Sequence, residues 1–459
     1  MKHLFIDDAF IAEYHGTQIE VNTPAKLGPI VDAGQENIYC RGPYGTIIQS
    51  ESLAELWGSY RIRGQKDPLI QYSFSADGIT WVNPNINQFR DVRKTPNNIV
   101  LKATQEGSVF FDPNDMRFPY KYMYFTRDHG PEGLFLIRSP NGKDWIGPPE
   151  KLQHVERASQ NVVFWDERLN KYVAYVRGWK QPNMAQDRDE NRLRVVERWE
   201  FDSFEELKYR ENSTGGIPHV LSGARTVIEP DEYDMPDSDI YTNAVVQYLQ
   251  DVYFAFPSLY RHMQIGSGYD FRQLPNEGIL EIQIATSRDG ITWNRYRKPY
   301  VPMGIYGEHD TAQMYMFTGM LVFDTYCLQY YSGTDYTHRE SPVFSRRKER
   351  NMMVNVVKQR KDGFVGFVNF DPMTVAKIRT EPFEFSGYIS LNFDAGASGY
   401  VRCSLRDGAQ KIATQKVSFV GNWLEKRVEF DNPEVREYRG KQLALEIEFK
   451  NAKVFGFTY

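Results

Sequence analysis

One short pattern recurs along this chain and limits its fold more than any other feature. It reads Ser75-Ala-Asp77-Gly78-Ile-Thr-Trp81, then Ser139-Pro-Asn141-Gly142-Lys-Asp-Trp145, then Ser287-Arg-Asp289-Gly290-Ile-Thr-Trp293. Each copy follows a strand-like run: LIQYSF, GLFLIR or EIQIAT. Asp-Gly or Asn-Gly between two β runs signals a hairpin, because a primed turn needs positive φ. Two degenerate copies fall in the gaps, at Phe201-Asp202-Ser203-Phe204 and Lys361-Asp362-Gly363-Phe364. The turns then stand at 78, 142, 203, 290 and 363, with spacings of 64, 61, 87 and 73 residues. Repeats of this size, each holding several strands, predict an all-β, five-bladed β-propeller.

Within each repeat two strand-like runs joined by a polar turn precede the box, as in QNVVFWDERLNKYVAYVRG. Hairpin, strand, turn and strand make four antiparallel strands, and their aromatic and β-branched residues suit such strands. That usage absorbs most of the unusual 14% aromatic content. The pattern changes near residue 380. SGYISLNFDAGASGYVRCSLRD, QLALEIEF and KVFGFTY read as short alternating strands of a small C-terminal β-sandwich. The expected division is therefore a propeller over 1–380 and a sandwich over 381–459. The boxes themselves (Asp77, Asn141, Asp289, Trp81, Trp145, Trp293) are read as structural, as are Asp112, Asp115 and Asp166 in mid-blade turns. EYDMPDSD over 232–239 is expected to be an acidic loop, and the N-terminal strand is expected to close the ring beside the last blade.

Composition excludes several functions. A net charge of −5 argues against a nucleic-acid binder. No run of about 18 apolar residues is present to span a membrane. Three scattered cysteines, Cys40, Cys327 and Cys403, fit neither a disulfide framework nor a zinc site. No cofactor is expected, and an ion in the central channel is left open. MKHLFIDDAF has acids where a signal peptide needs an apolar core. The expected location is cytoplasmic, or periplasmic or secreted if a signal has been removed. Oligomeric state is not legible.

In a propeller the first strand of each blade lines the channel, and the second strand returns to the same mouth. The first strands open on Glu36 and Arg41; Glu106; Arg157, Gln160 and Asn161; Asp237, Asp239 and Tyr241; and Glu308, His309 and Asp310. The second strands end on Arg61 and Arg63; Arg127 and Asp128; Arg177; Arg261 and His262; and Tyr331, Asp335 and His338. Carboxylates facing each other across a pocket are what glycoside hydrolysis needs, one to protonate the leaving oxygen and one to attack or activate water. Arginines beside them hold anions bidentately. Asp239 and Glu308 are expected to be the catalytic pair, with Glu308 as acid and Asp310, Asp128 and Glu106 in reserve. Substrate contacts are expected from Glu36, Arg41, Glu106, Arg127, Asp128, Arg157, Arg177, Tyr241, Arg261, His309, Asp310 and His338. Tyr44, Tyr241, Tyr306 and Tyr331 could stack on sugar.

The chain resembles the five-bladed propeller proteins related to glycoside hydrolase families 32 and 43. The boxes, the LFIDD start, and runs such as FWDERLNKYVAYVRG carry the likeness. It is most similar to a bacterial family-32-like group with Asn97-Asn98-Ile99-Val100, TSRDGITW and a C-terminal sandwich closing on KVFGFTY. The family 32 nucleophile segment Asn-Asp-Pro-Asn-Gly is absent; ENIYCRGPYG stands there instead. The family's Arg-Asp-Pro and Glu-Cys segments are absent too, so no catalytic residue carries over by motif. The expected function is cleavage of a terminal, by its arginines acidic, sugar. The alternatives are a glycoside phosphorylase, as in the related family 130, and a non-catalytic carbohydrate-binding propeller.

Overall fold

A computed structural model of the chain describes residues 1–32, 42–50, 52–60, 69–89, 97–104, 106–126, 133–153, 158–180, 193–207, 224–263, 277–339 and 352–459. Regular structure among them is β, apart from a helical turn at 204–207 and the 3-10 helix Pro433–Tyr438. No helix among the described residues is long and apolar enough to cross a membrane. The chain divides into two compact units. The larger comprises Ala25–Val322 and Cys327–Lys358, the smaller Met1–Pro24, Phe323–Tyr326 and Gln359–Tyr459. The division thus differs from the expected one at 380. Strands Val365–Asn369 and Ala376–Thr380 pair with the C-terminal strands Lys453–Thr458 and Gln442–Lys450, which draws them into the smaller unit.

The larger unit contains three separate four-stranded sheets. They are built from Gly45–Gln49, Ala54–Tyr60, Leu69–Ser75 and Ile99–Lys102; from Gly107–Phe111, Tyr120–Thr126, Gly133–Ser139 and Ile146–Gln153; and from Val162–Asp166, Lys171–Lys180, Leu193–Phe201 and Arg225–Ile228. A longer sheet begins with Ser238–Leu249, Val252–His262, Gly278–Ser287 and Asn294–Val301. A single parallel pair, Leu280 with Gln313, joins it to Gln313–Met316, Tyr326–Thr334, Met353–Arg360 and Ala25–Pro29. The opening strands lie side by side in chain order, and Thr318, just past the last of them, returns to bridge Thr46 in the first.

Two strand assignments correct the sequence reading. The last sheet takes its outer strand from Ala25–Pro29, not from the LFIDD segment, whose strand Lys2–Leu4 pairs with Lys453–Thr458. The box at 361–364 therefore leads out of that sheet, into Val365–Asn369 of the smaller unit. In the first sheet the outer strand is Ile99–Lys102, well beyond the box at 75–81.

The boxes turn by side-chain capping. Gly78, Gly142 and Gly290 have positive φ, whereas Asp77, Asn141 and Asp289 do not, so the turn is not the primed pair expected. Ser75 Oγ accepts from Gly78 N at 2.8 Å, and Asp77 Oδ1 accepts from Ile79 N and Thr80 N at 2.7 and 2.8 Å. Asn141 Oδ1 accepts from Lys143 N and Asp144 N in the same way, which is why amide and carboxylate interchange here. Each box glycine then offers its carbonyl to an aromatic side chain of an adjacent sheet. Trp57 Nε1 donates to Gly142 O at 2.7 Å, Tyr175 Oη to Gly290 O at 2.8 Å, and Tyr330 Oη to Gly78 O. Carboxylates add a second series: Asp112 accepts from Tyr172 at 2.8 Å and Asp166 from Tyr253 at 2.5 Å.

Alternation does the rest. Tyr122 and Tyr124 face the first sheet with Trp57 and Tyr72, while Met123 and Phe125 face the third with Tyr172 and Trp199. Period-two strands buried on both faces need apolar residues at every position, and aromatics fill the wedge between twisted sheets.

The smaller unit is a sandwich of two six-stranded sheets. Phe5, Phe367, Ile378, Phe393, Val401, Leu445, Ile447, Phe449, Val454 and Phe457 form its core. Gln442–Lys450 shows the reason in its sequence, with Leu443, Leu445, Ile447 and Phe449 turned inward and Glu446 and Glu448 outward.

Candidate functional site

The openings of the first strands and the ends of the second strands meet at one end of the larger unit, and the third strands begin there. Lys171–Lys180 runs into Leu193–Phe201 with Trp179 paired to Arg194, and Val252–His262 runs into Gly278–Ser287 with His262 paired to Gly278. Antiparallel order places these side chains around Tyr241. The Arg177 guanidinium lies 4.4 Å from its ring centroid and that of Arg194 5.6 Å from it. Arg177 also donates to the Tyr241 carbonyl through Nε at 3.2 Å and Nη2 at 2.5 Å. His338 Nε2 is 2.9 Å from the Tyr241 hydroxyl.

Asp239 lies two residues before Tyr241 and is fully buried. Its Oδ2 accepts from Arg194 Nη1 at 2.7 Å and stands 3.0 Å from His262 Nε2. The expected acidic loop is therefore partly strand here, since Ser238–Leu249 begins inside it. Within it Asp234 holds Arg295, and Asp231, just before it, holds Arg297. Tyr260, opposite Asp239 in the ladder, packs its ring 5.5 Å from Tyr241, 4.3 Å from His262 and 5.1 Å from His338. Its hydroxyl is buried and finds no hydrogen-bond partner among the described residues. Tyr315 and Tyr44 continue the aromatic wall at 5.9 and 5.7 Å between successive rings.

Burial holds the hydroxyls of Tyr44, Tyr260 and Tyr315 far above the ordinary tyrosine range. At Tyr44, Tyr241 and then Glu106 add to that effect, partly offset by Arg177. Glu106 also acts on Tyr122. These phenols are neutral donors throughout the physiological range.

The expected residues fall into two groups. Asp239, Tyr241, Arg177 and His338 come together as above, and Glu106 stands at a neighbouring strand opening, its carbonyl bonded to Asn161 Nδ2 at 2.7 Å. Glu308, His309 and Asp310 form a second group around other partners. Glu308 is exposed, and its Oε2 caps Ile305 N at 2.7 Å. Asp310 is buried and bonded through Oδ2 to Lys26 and to Tyr331, each at 2.7 Å. His309 Nε2 meets Asn355 Oδ1. Arg261 is exposed and pairs loosely with Asp237 at 3.4 Å. Glu36, Arg41, Arg127, Asp128 and Arg157 lie outside the described residues, as do Arg61 and Arg63. No group of His, Cys, Asp and Glu among the described residues has the geometry to hold a metal ion.

Arg194, Trp179, Tyr260 and Tyr315 belong to the cluster and escape a reading limited to the first strands' openings and the second strands' ends. The same antiparallel rule, carried one hairpin further, reaches Arg194, because the start of a third strand faces the end of the second.

No protein-family model matches this chain. No curated protein matches it. Among solved structures it is similar to an N-acetylgalactosamine deacetylase from F. plautii in complex with blood group B trisaccharide (13% identity, 74% of this chain and 95% of that chain, TM-score 0.44). It is similar also to a thermostable family-43 glycoside hydrolase (14% identity, 74% and 95%, TM-score 0.39). A third is the catalytic domain of the Coprinopsis cinerea GH62 alpha-L-arabinofuranosidase (10% identity, 74% and 97%, TM-score 0.39).

Proposed function

We propose that this protein is a five-bladed propeller enzyme that cleaves a glycosidic bond at the aromatic mouth around Tyr241. The observation that carries the reading is the buried Asp239 carboxylate, fixed by Arg194 and His262 beside a wall of neutral tyrosines. A fixed acceptor next to aromatic faces and phenol donors suits a ring with hydroxyl groups on its edges. Glycoside cleavage needs two carboxyl groups. One gives its proton to the leaving oxygen as the C–O bond breaks, and the other attacks the anomeric carbon or takes a proton from the attacking water. Asp239, held by a cation, is the second of these. Glu106, at the opening of a neighbouring sheet where its carbonyl accepts from Asn161 Nδ2 at 2.7 Å, is the acid in this reading. Glu308, engaged at the Ile305 turn, is the alternative.

A phosphorylase is the second reading. Arg177 and Arg194 both face Tyr241, and guanidinium pairs are suited to holding phosphate. Both readings are tested by a panel of aryl glycosides and acidic oligosaccharides with and without phosphate. Asp239→Asn and Glu106→Gln are each expected to lower kcat/KM by about 10²-fold or more while melting cooperatively. Turnover that survives both substitutions refutes this site. Release that requires phosphate selects the phosphorylase, and binding without release selects a non-catalytic propeller.

A further inference from the structure

The smaller unit has a cleft of about 540 Å³ that the reaction above does not use. Three connections form it at one end of the sandwich: residues 370–375, 395–399 and 451–452, with Glu20 on a neighbouring strand. Its rim is tied together. Asn369 Nδ2 donates to Thr374 O at 2.9 Å and Phe449 O at 3.2 Å, while its Oδ1 accepts from Ala452 N at 3.1 Å. Asn451, in the left-handed region with φ 45°, donates through Nδ2 to Ser398 Oγ at 2.8 Å. Such bonds hold the lining in place before any ligand arrives.

The lining has a mixed chemistry. Phe370 is 74% exposed, a large ring left in water beside the cleft rather than packed in the core. Glu20, Asp394, Lys453 and Ser398 line the rest of the cleft, with the Lys453 ammonium donating to Asn22 Oδ1 at 3.0 Å and Glu20 Oε1 accepting from Gln18 Nε2 at 2.6 Å. The volume lies within the ~300–1,000 Å³ of small-ligand sites. Two carboxylates against one ammonium disfavour an anion, and the polar rim disfavours a purely apolar guest. A neutral saccharide meets both conditions. Its hydroxyls donate to carboxylates, and its C–H face covers an aromatic ring.

We infer that this cleft is a second carbohydrate site, a binding site without catalysis, that takes one or two neutral sugar residues. It is independent of the cleavage reaction proposed for the larger unit. The test uses the full chain, titrated by calorimetry and saturation-transfer NMR with glucose, galactose, mannose, maltose, cellobiose and lactose, and with galacturonate as the charged counterpart. Phe370→Ala and Asp394→Asn are each expected to weaken the best neutral ligand about tenfold or more at unchanged melting temperature, a factor set by the loss of about 1.4 kcal/mol. Asp239→Asn is expected to leave that binding intact, which separates this site from the one around Tyr241. Galacturonate is expected to bind at least tenfold more weakly than galactose. Absence of binding by every neutral sugar at concentrations up to about 10 mM, tenfold above a Kd of about 1 mM, binding that survives Phe370→Ala and Asp394→Asn, or a preference for galacturonate overturns it.

Discussion

Replacing Gly142 with alanine tests whether the repeated boxes lock neighbouring sheets or merely turn the chain. A Cβ there would fall 2.5 Å from Trp57 Cζ2 and 3.2 Å from Tyr120 Cδ1. Gly142 also has φ +71°, where an L-residue costs about 1–2 kcal/mol. Gly147, five residues further, has φ +77° and nothing within 4 Å of its Cβ position. The conformational cost is therefore common to both glycines, and only Gly142 adds a clash. Trp57 is 2% exposed and bonded to the carbonyl of Gly142 itself, so it cannot swing aside without losing that bond. Overpacking of this kind costs about 1–3 kcal/mol. Gly142→Ala is expected to destabilise by about 2–5 kcal/mol and Gly147→Ala by about 1–2 kcal/mol. Urea denaturation followed by far-UV circular dichroism gives both values, provided the slopes agree. In the double variant Trp57→Phe/Gly142→Ala the smaller ring relieves the clash, so the two losses should not add. Equal losses for the two glycines, or strict additivity in the double variant, would refute the lock.

Three other outcomes follow from the same contacts. Tyr175→Phe leaves the Gly290 carbonyl without its 2.8 Å donor and should cost about 1–3 kcal/mol in the same denaturation assay, against no measurable loss for the exposed Tyr14→Phe. Asp234→Ala strands the Arg295 guanidinium, which it binds through both oxygens at 2.7 and 2.9 Å in a buried pair, so a loss of about 3–5 kcal/mol is expected. Burial raises the Glu281 carboxyl above its ordinary 4.5, against a weaker opposing bond from Gln283. The native state therefore favours the protonated acid, and its contribution is present below pH 4.5 and lost as pH rises through the raised value. Glu281→Gln should give no gain in melting temperature near pH 4 and a clear gain at pH 7–8; a gain that does not change with pH refutes the assignment.

What the sequence alone determined is local. Ser-x-Asp-Gly-x-x-Trp contains its own capping groups, so the turn and the strands beside it follow from residues a few positions apart. The alternation of Gln442–Lys450 likewise marks a sandwich strand without outside help. The gathering of Asp239, Tyr241, Arg177 and His338 also followed from chain order, since antiparallel strands must return to the end they left. Only the tertiary structure decided which strand completes each sheet. Ala25–Pro29 and Val365–Asn369 are both short, and either could pair with Met353–Arg360 by pattern. The choice rests on backbone bonds between residues more than 300 positions apart, which no local spacing encodes. The same holds for the candidate site. Glu308 and Asp239 look alike in the chain, yet one is exposed and caps a turn while the other is buried against Arg194 and His262, because burial and charge depend on neighbours that folding supplies.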